Sequence, residues 1–445
     1  MNFKNKVYSI GFLSILSLIS VKSVFAISLI DSVNKTIESN YDYKKSIEDY
    51  NAAYTQKNIA MSYLLPRLDL SANFMPSKNT TETDVTDFSY NSKDTSLALV
   101  LYQPILQMDA IRQFGKSKII QTQAKTKLDL SRNTILLNVV NAYLDTMFAR
   151  DSLDAITEKR KFFEERLRTV EVDFKVGNSN KVDLQETQAN YEESVAQEVS
   201  ARNDFDVAKD FLAKIINENV DDVQVMKSVF SDIEMPQSVD EIKDISLKAN
   251  LEIIVATLQL DLANKDVQIA NSDYYPDIGL VAGGQISSGT GINAATGATT
   301  DSSLTNTYVG VQAKMNLFAG GGTYSEAKRL GAVKNGTNYS LSSKINEVSK
   351  LVNKYYFDIY TGKSKMKSLE MAYAARKEYL ASVQKEVAVG VKTNSDLLEA
   401  NNKLLDVKLS LIGLRYQLLK AYLMLKNLSG NLELKDIEYL ATFIE

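Results

Sequence analysis

Two pairs of carboxylates recur at fixed spacing. Asp396 and Glu399 are three residues apart, as are Asp183 and Glu186, and in each case the Asp stands six positions after the Gly of a Val-Gly step (Gly390 and Gly177). Acids three apart share one face of a helix. Just before a helical run, Asp-x-x-Glu reads as a capping box in which the Asp oxygen accepts from an orphan amide. The preceding Gly reads as a left-handed helix C-cap.

Little else in the chain offers chemistry. It contains no Cys, His or Trp, which excludes disulfides, thiol nucleophiles, Cys/His zinc sites and His-dependent triads. Gly320-Gly321-Gly322 is not followed by Gly-Lys-Ser/Thr and is no phosphate loop. Tyr143-x-Asp145 and Tyr356-x-Asp358 recur at matched positions and read as packing beside a seam. With no catalytic, cofactor-binding or metal constellation, the expectation is a non-enzyme without cofactors. The formal charge of −4 gives no basic footprint for nucleic acid.

The elements that position the acids are long. A seam of alternating three- and four-residue steps runs from Ile135 through Val139, Ala142 and Phe163 to Phe174, a heptad pattern. One helix from Met108 to Val176 would span roughly 100 Å at about 1.5 Å per residue. Gly177 reverses the chain, and a second helix returns to about Ile216. A matching seam, Val348 to Val387, leads to Gly390 and to a return helix with Leu397, Leu404, Leu411, Leu418 and Leu425, one per heptad.

Upstream of each long helix the period changes to two. Leu68, Leu70, Ala72 and Phe74 alternate with polar residues, and so do Leu97, Leu99 and Leu101. This predicts a β-hairpin over about 67–103 with strands of nine or ten residues and a long polar tip, Met75 to Asp94. A second hairpin is expected over about 277–317, its tip running from Ser287 to Asn306. Asn250 to Leu280 aligns without gaps on Asn40 to Leu70, matching Ala263 to Ala53 and Pro276 to Pro66. The chain is a tandem duplication. Residues 27–216 form the first repeat, 217–240 a linker, 241–430 the second repeat and 431–445 a C-terminal tail.

Residues 1–26 read as a signal peptide: Lys4 and Lys6, a largely apolar Val7 to Ile19, then Val24-Phe25-Ala26. Strands of this length with one apolar face match the hydrocarbon thickness of a membrane. Four of them cannot close a barrel, and open edges in lipid leave unpaired amides and carbonyls at several kcal/mol each. The expectation is a homo-oligomer with one shared barrel. Three copies supply about twelve strands.

These features together resemble the TolC-like outer-membrane efflux proteins across essentially the whole mature chain. The resemblance is carried by the tandem repeat, by Pro66 and Pro276 opening the strand pairs, by Gln103-Pro104-Ile105-Leu106 and Leu317-Phe318-Ala319-Gly320-Gly321 closing them, and by the two Val-Gly reversals. It implies a mainly α fold with a small β part. A trimeric 12-stranded transmembrane β-barrel would continue into a periplasmic α-helical barrel in a Gram-negative outer membrane. It further implies an exit duct for drugs, toxins or proteins in a tripartite efflux or type I secretion system. Its partners would be outer-membrane lipid, a periplasmic adaptor and an inner-membrane pump of RND, ABC or MFS type.

By the same resemblance, Asp396 and Glu399 would form the narrowest ring of the pore entrance, with Glu399 where the best-known pattern has Asp. Lys392 falls where the family has an Arg that ties the closed state together, and Asp183 where its acidic partner lies. The family's tyrosine in that network falls on Val387. Lys offers a point charge in place of a bidentate fork, so a closed state that is easier to open is expected. The competing reading is a periplasmic coiled-coil adaptor or scaffold whose strands form a soluble domain.

Overall fold

The computed structural model describes residues 26–82, 87–226, 238–292, 298–430 and 432–444. Apart from Ala26, the expected signal peptide lies outside the described residues.

Each repeat opens on two short helices that meet at an Asn. Helices α1 (Leu29–Ser39) and α2 (Tyr41–Ser62) join at Asn40, and α5 (Val239–Ala249) and α6 (Leu251–Ala270) at Asn250. Apolar residues recur at helical spacing from Ile27 to Leu64, a pattern that by itself predicts one continuous helix ending before Pro66. Asn40 instead adopts φ −65° and ψ 122° and caps α2 by accepting from the Tyr43 amide. Asn250 takes the same conformation (φ −64°, ψ 122°) and accepts from the amides of Glu252 and Ile253.

Strands β1 (Arg67–Glu82), β2 (Asp87–Leu106), β3 (Asp277–Ile292) and β4 (Thr299–Lys314) form one antiparallel sheet in that order. They have 16 to 20 residues, not nine or ten. Much of the expected tip is paired: Pro76 faces Lys93, Lys78 faces Asn91 and Thr80 faces Ser89. The residues here are mostly polar on both faces, so pairing shows no apolar alternation, and the pattern that marks a half-buried strand is missing.

The register gathers the apolar residues onto one side. Leu68 pairs Leu101, Leu70 pairs Leu99 and Ala72 pairs Leu97. Leu97 in turn pairs Ile286, Leu280 pairs Val311 and Ala282 pairs Val309. Directly opposed residues share a face, so all four strands present one continuous apolar surface. It is bare: Val309 is 81% and Leu70 68% exposed. The other face carries Asp69, Asn73, Ser96, Gln285 and Gln312. Tyr102 and Tyr308 lie over Gly279 and Gly283 there, where an added Cβ would come within 2.5 and 2.8 Å of the rings.

Below the sheet stand α3 (Met108–Lys175), α4 (Lys181–Ile216), α7 (Gly322–Ala388) and α8 (Asn394–Leu428). At 68 and 67 residues, α3 and α7 are each roughly 100 Å long. Helix α3 packs on α2 and α6 toward the sheet and on α4 and α8 beyond, while α7 packs on α6 and α8. Apart from the shorter α1 and α5, which pack on α3 and α7, the described helices form a single layer with α7 at one flank and α2 and α4 at the other. The main core lies halfway, where Val139, Tyr143, Met147, Val352, Ile359, Leu419 and Leu423 meet.

A belt of shorter segments crosses that level. Part of the expected linker is ordered against it: Val223 bridges Ile27, and Met226 bridges Ile444. The tail carries α9 (Leu434–Ala441), whose Ile437 and Leu440 are buried. Tyr143 donates its hydroxyl to Ile27 O at 2.9 Å and accepts from the Gln224 amide at 3.2 Å, the packing role expected of it. No described helix is long and apolar enough to cross a membrane.

Candidate functional site

The two reversals sit at the far end of the helices from the sheet. Gly177 has φ +81° and Gly390 φ +76°. At the first, the Asn178 amide reaches Asp173 O (2.7 Å) and the Gly177 amide Phe174 O (3.1 Å). At the second, Val391 reaches Glu386 O (2.9 Å) and Gly390 reaches Val387 O (3.1 Å). Both are Schellman closures, which need a left-handed residue after the helix.

The N-terminal caps differ from the sequence reading. Thr393, not Asp396, caps α8: its hydroxyl accepts from the Asp396 amide (3.1 Å), and its own amide donates to the Asp396 carboxylate (2.9 Å). Asp396 is the box partner, and Glu399 lies one turn further on. Asn180 likewise caps α4, accepting from the Asp183 amide at 2.8 Å. Thr393 and Asn180 stand three residues nearer the Gly and place a side-chain oxygen over the first turn, so each cap lies three residues earlier than expected, and α8 alone of the two closes the reciprocal box.

Hydrogen bonds from the Thr393 hydroxyl and amide, then the Lys392 charge, hold the Asp396 carboxyl below the usual carboxylate range. Lys392 Nζ lies 3.9 Å from Asp396 Oδ1, and Glu399 pairs with Lys403 on its own helix. Within one chain, therefore, Lys392 meets Asp396, while Asp183 accepts from the Asn180 side chain (2.8 Å).

A set of polar ties that the sequence did not reveal joins the two helix pairs. Arg166 Nε donates to Asn394 Oδ1 (2.6 Å), Asn394 Nδ2 to Thr187 (2.8 Å), and Ser395 to Glu186 (2.9 Å). Asn402 donates to Asn190 (3.2 Å). Farther up, Lys408 meets Glu158 (2.5 Å), Tyr416 donates to Asp151 (2.7 Å), and Lys420 pairs with Asp145. The acid twins have therefore diverged: Glu186 faces α8 and is engaged, while Glu399 is 61% exposed at its side chain. The available signal was the break in the repeat. Shifted by 213 positions, Asn394 falls on Lys181 and Ser395 on Val182.

A sheet with one lipid-type face and two open edges, standing on paired helices of roughly 100 Å, defines an outer-membrane channel protomer. The chain belongs to the outer membrane efflux protein family, whose sequence model matches residues 33–218 and 244–431. It is 26% identical over 430 residues to the alkaline protease secretion protein AprF of Pseudomonas aeruginosa, covering 94% of this chain and 88% of that one. It is 27% identical to the outer membrane protein TolC of Escherichia coli K12, covering 90% and 81%. Its fold matches the Campylobacter jejuni CmeC outer membrane channel with a TM-score of 0.77 at 18% identity, covering 100% and 98%. It also matches VceC of Vibrio cholerae at 0.75 and 14%, covering 90% and 96%.

Proposed function

We propose that three copies assemble into the exit duct of an efflux or type I secretion system, with the acid pairs at its periplasmic entrance. The carrying observation is the sheet. Its apolar face is continuous across four strands, yet among the described residues β1 and β4 have no strand partner along their outer edges. In lipid those edges need partners, and β4 of one copy against β1 of the next supplies them. The helical wall has matching free flanks, with exposed Tyr339, Tyr360 and Met371 on α7 and Tyr41, Val199 and Phe211 on α2 and α4. A head-to-tail contact of this kind closes into a ring. A soluble scaffold would leave the apolar face uncovered.

In the trimer, Asp396 and Glu399 place six carboxylates around the axis, a ring that favours cations. Lys392 then approaches Asp183 of the adjacent copy in the closed state, in competition with its own Asp396. An adaptor and an inner-membrane pump would engage the reversal end. The test is purification from outer membranes in detergent, native mass measurement and planar-bilayer conductance. A trimer with cation-selective conductance is expected, and a folded monomer extracted without detergent overturns the reading.

A further inference from the structure

On one side of the helical wall, α8 forms the floor of a groove of about 680 Å³ whose sides are α3 and α7. Gly413, Gln417, Lys420 and Met424 come from a single face of α8, since they recur every three or four residues. The opposite face of α8 meets the belt, where Lys426 lies 3.2 Å from Asp436 of α9. Helix α3 behaves alike: Tyr143 and Arg150 reach the linker at Gln224 and Asp222, while Phe148 lines the groove. The groove therefore faces away from the belt. A belt inside a duct would fill it, so the belt lies outside and the groove opens into the lumen. That placement rests on the exit-duct reading above.

The charges in the groove are of two kinds. Lys420 and Asp145 satisfy each other. Lys354 and Asp358, one turn apart on α7, do not: Lys354 Nζ stands 5.1 Å from the centroid of the Tyr355 ring, and Asp358 has no ion-pair partner among the described residues. Beside them Gly413 leaves a recess against the Phe148 ring, whose Cε2 is 3.8 Å from where a Cβ would stand.

We propose that this groove is a lumenal binding site for zwitterionic amphiphiles with a carboxylate and an ammonium close together on a flat apolar body. The carboxylate is received by Lys354, the ammonium by Asp358, and the body lies over Phe148 in the recess at Gly413. Side chains one turn apart have Cβ atoms about 5–6 Å from each other, which suits the head group of an α-amino acid. The volume falls in the roughly 300–1,000 Å³ range of sites that enclose drug-sized molecules.

The test titrates full-length protein in phosphatidylcholine nanodiscs with Nε-dansyl-lysine, a fluorescent zwitterion, and with dansylcadaverine, which lacks the carboxylate. Saturable binding of dansyl-lysine is expected. Lys354→Ala and Asp358→Asn, at solvent-accessible positions, should each weaken it about tenfold, the loss of one charge-assisted contact. Gly413→Leu should abolish it, and dansylcadaverine should bind wild type about tenfold more weakly. Equal binding of the two probes, or binding unchanged in all three variants, overturns the site. Normal conductance of the same preparation without dansyl-lysine binding refutes the site alone, whereas absent conductance refutes the duct and its lumen with it.

Discussion

Asn394 and Thr187 meet 2.8 Å apart across the two repeats, the amide of the one donating to the hydroxyl of the other at a buried position. Asn394 also accepts from Arg166, so one side chain at the first turn of α8 holds both helices of the other pair.

Asn394→Ala should leave Arg166 and Thr187 without that partner. A buried polar group left unsatisfied costs about 1–3 kcal/mol. The expected outcome is a lower Tm together with raised single-channel conductance, as the entrance loosens. An unchanged conductance would show that the tie is not a closing contact.

Asp396 and Glu399 should separate charge from capping. Both Asp396→Asn and Glu399→Gln remove a carboxylate and should reduce cation selectivity in reversal-potential measurements. Only Asp396→Asn disturbs the Thr393 box, so only it should lower the Tm noticeably. The Asp396 carboxyl lies below its usual range in the folded chain. Its contribution is therefore present above the ordinary value of 3.8 and lost as pH falls through the depressed one.

Asp151 has the opposite sign. Burial, opposed by the Tyr416 hydrogen bond, raises its carboxyl above the ordinary 3.8. A carboxyl raised by folding binds its proton more tightly in the folded state, so its charge costs stability as pH rises through the raised value. Asp151→Asn, which still accepts from Tyr416, should raise the Tm at pH 7.5 and make little difference near pH 4. A Tm gain that grows on acidification would refute this assignment.

Glycines within α7 should respond to substitution in opposite directions. At Gly362 a Cβ would overlap the side chain of Leu418, itself 1% exposed, so Gly362→Ala should destabilise by about 1–3 kcal/mol through overpacking. Gly336 has open space around it, and Gly336→Ala should stabilise by about 0.5–1 kcal/mol. Denaturation of the two variants in the same detergent decides.

On the sheet, Leu99→Asp places a charge on the bare apolar face beside Leu70. Such a substitution at mid-membrane depth costs about 2–4 kcal/mol for Arg or Lys and less for Asp. Reduced recovery of trimer from outer membranes is expected, while Ser96→Asp on the opposite face should leave recovery unchanged.

The order of elements was legible because each depends on local periodicity. The expected Met108–Val176 helix matches α3 to within a residue, and heptad steps marked α7 from Val348 onward but not its start at Gly322. Val-Gly marked the reversals, and the gapless match of Asn250–Leu280 to Asn40–Leu70 exposed the duplication. The breaks at Asn40 and Asn250 went unread because the apolar rhythm continues across them. The strand ends beyond the apolar band are not legible in the sequence because a ladder polar on both faces shows no apolar rhythm.

What the sequence determined alone was everything fixed by neighbours along the chain: helix phase, left-handed turns, strand parity and the repeat. The tertiary structure decided which twin meets which surface. Glu186 and Glu399 stand at the same spacing from their Gly, yet Glu186 accepts from Ser395 of α8 while Glu399 pairs along its own helix with Lys403 and is largely exposed. That difference arises because α8 packs between α3 and α7 whereas α4 lies at a flank, a relation across about 200 residues that no local pattern encodes.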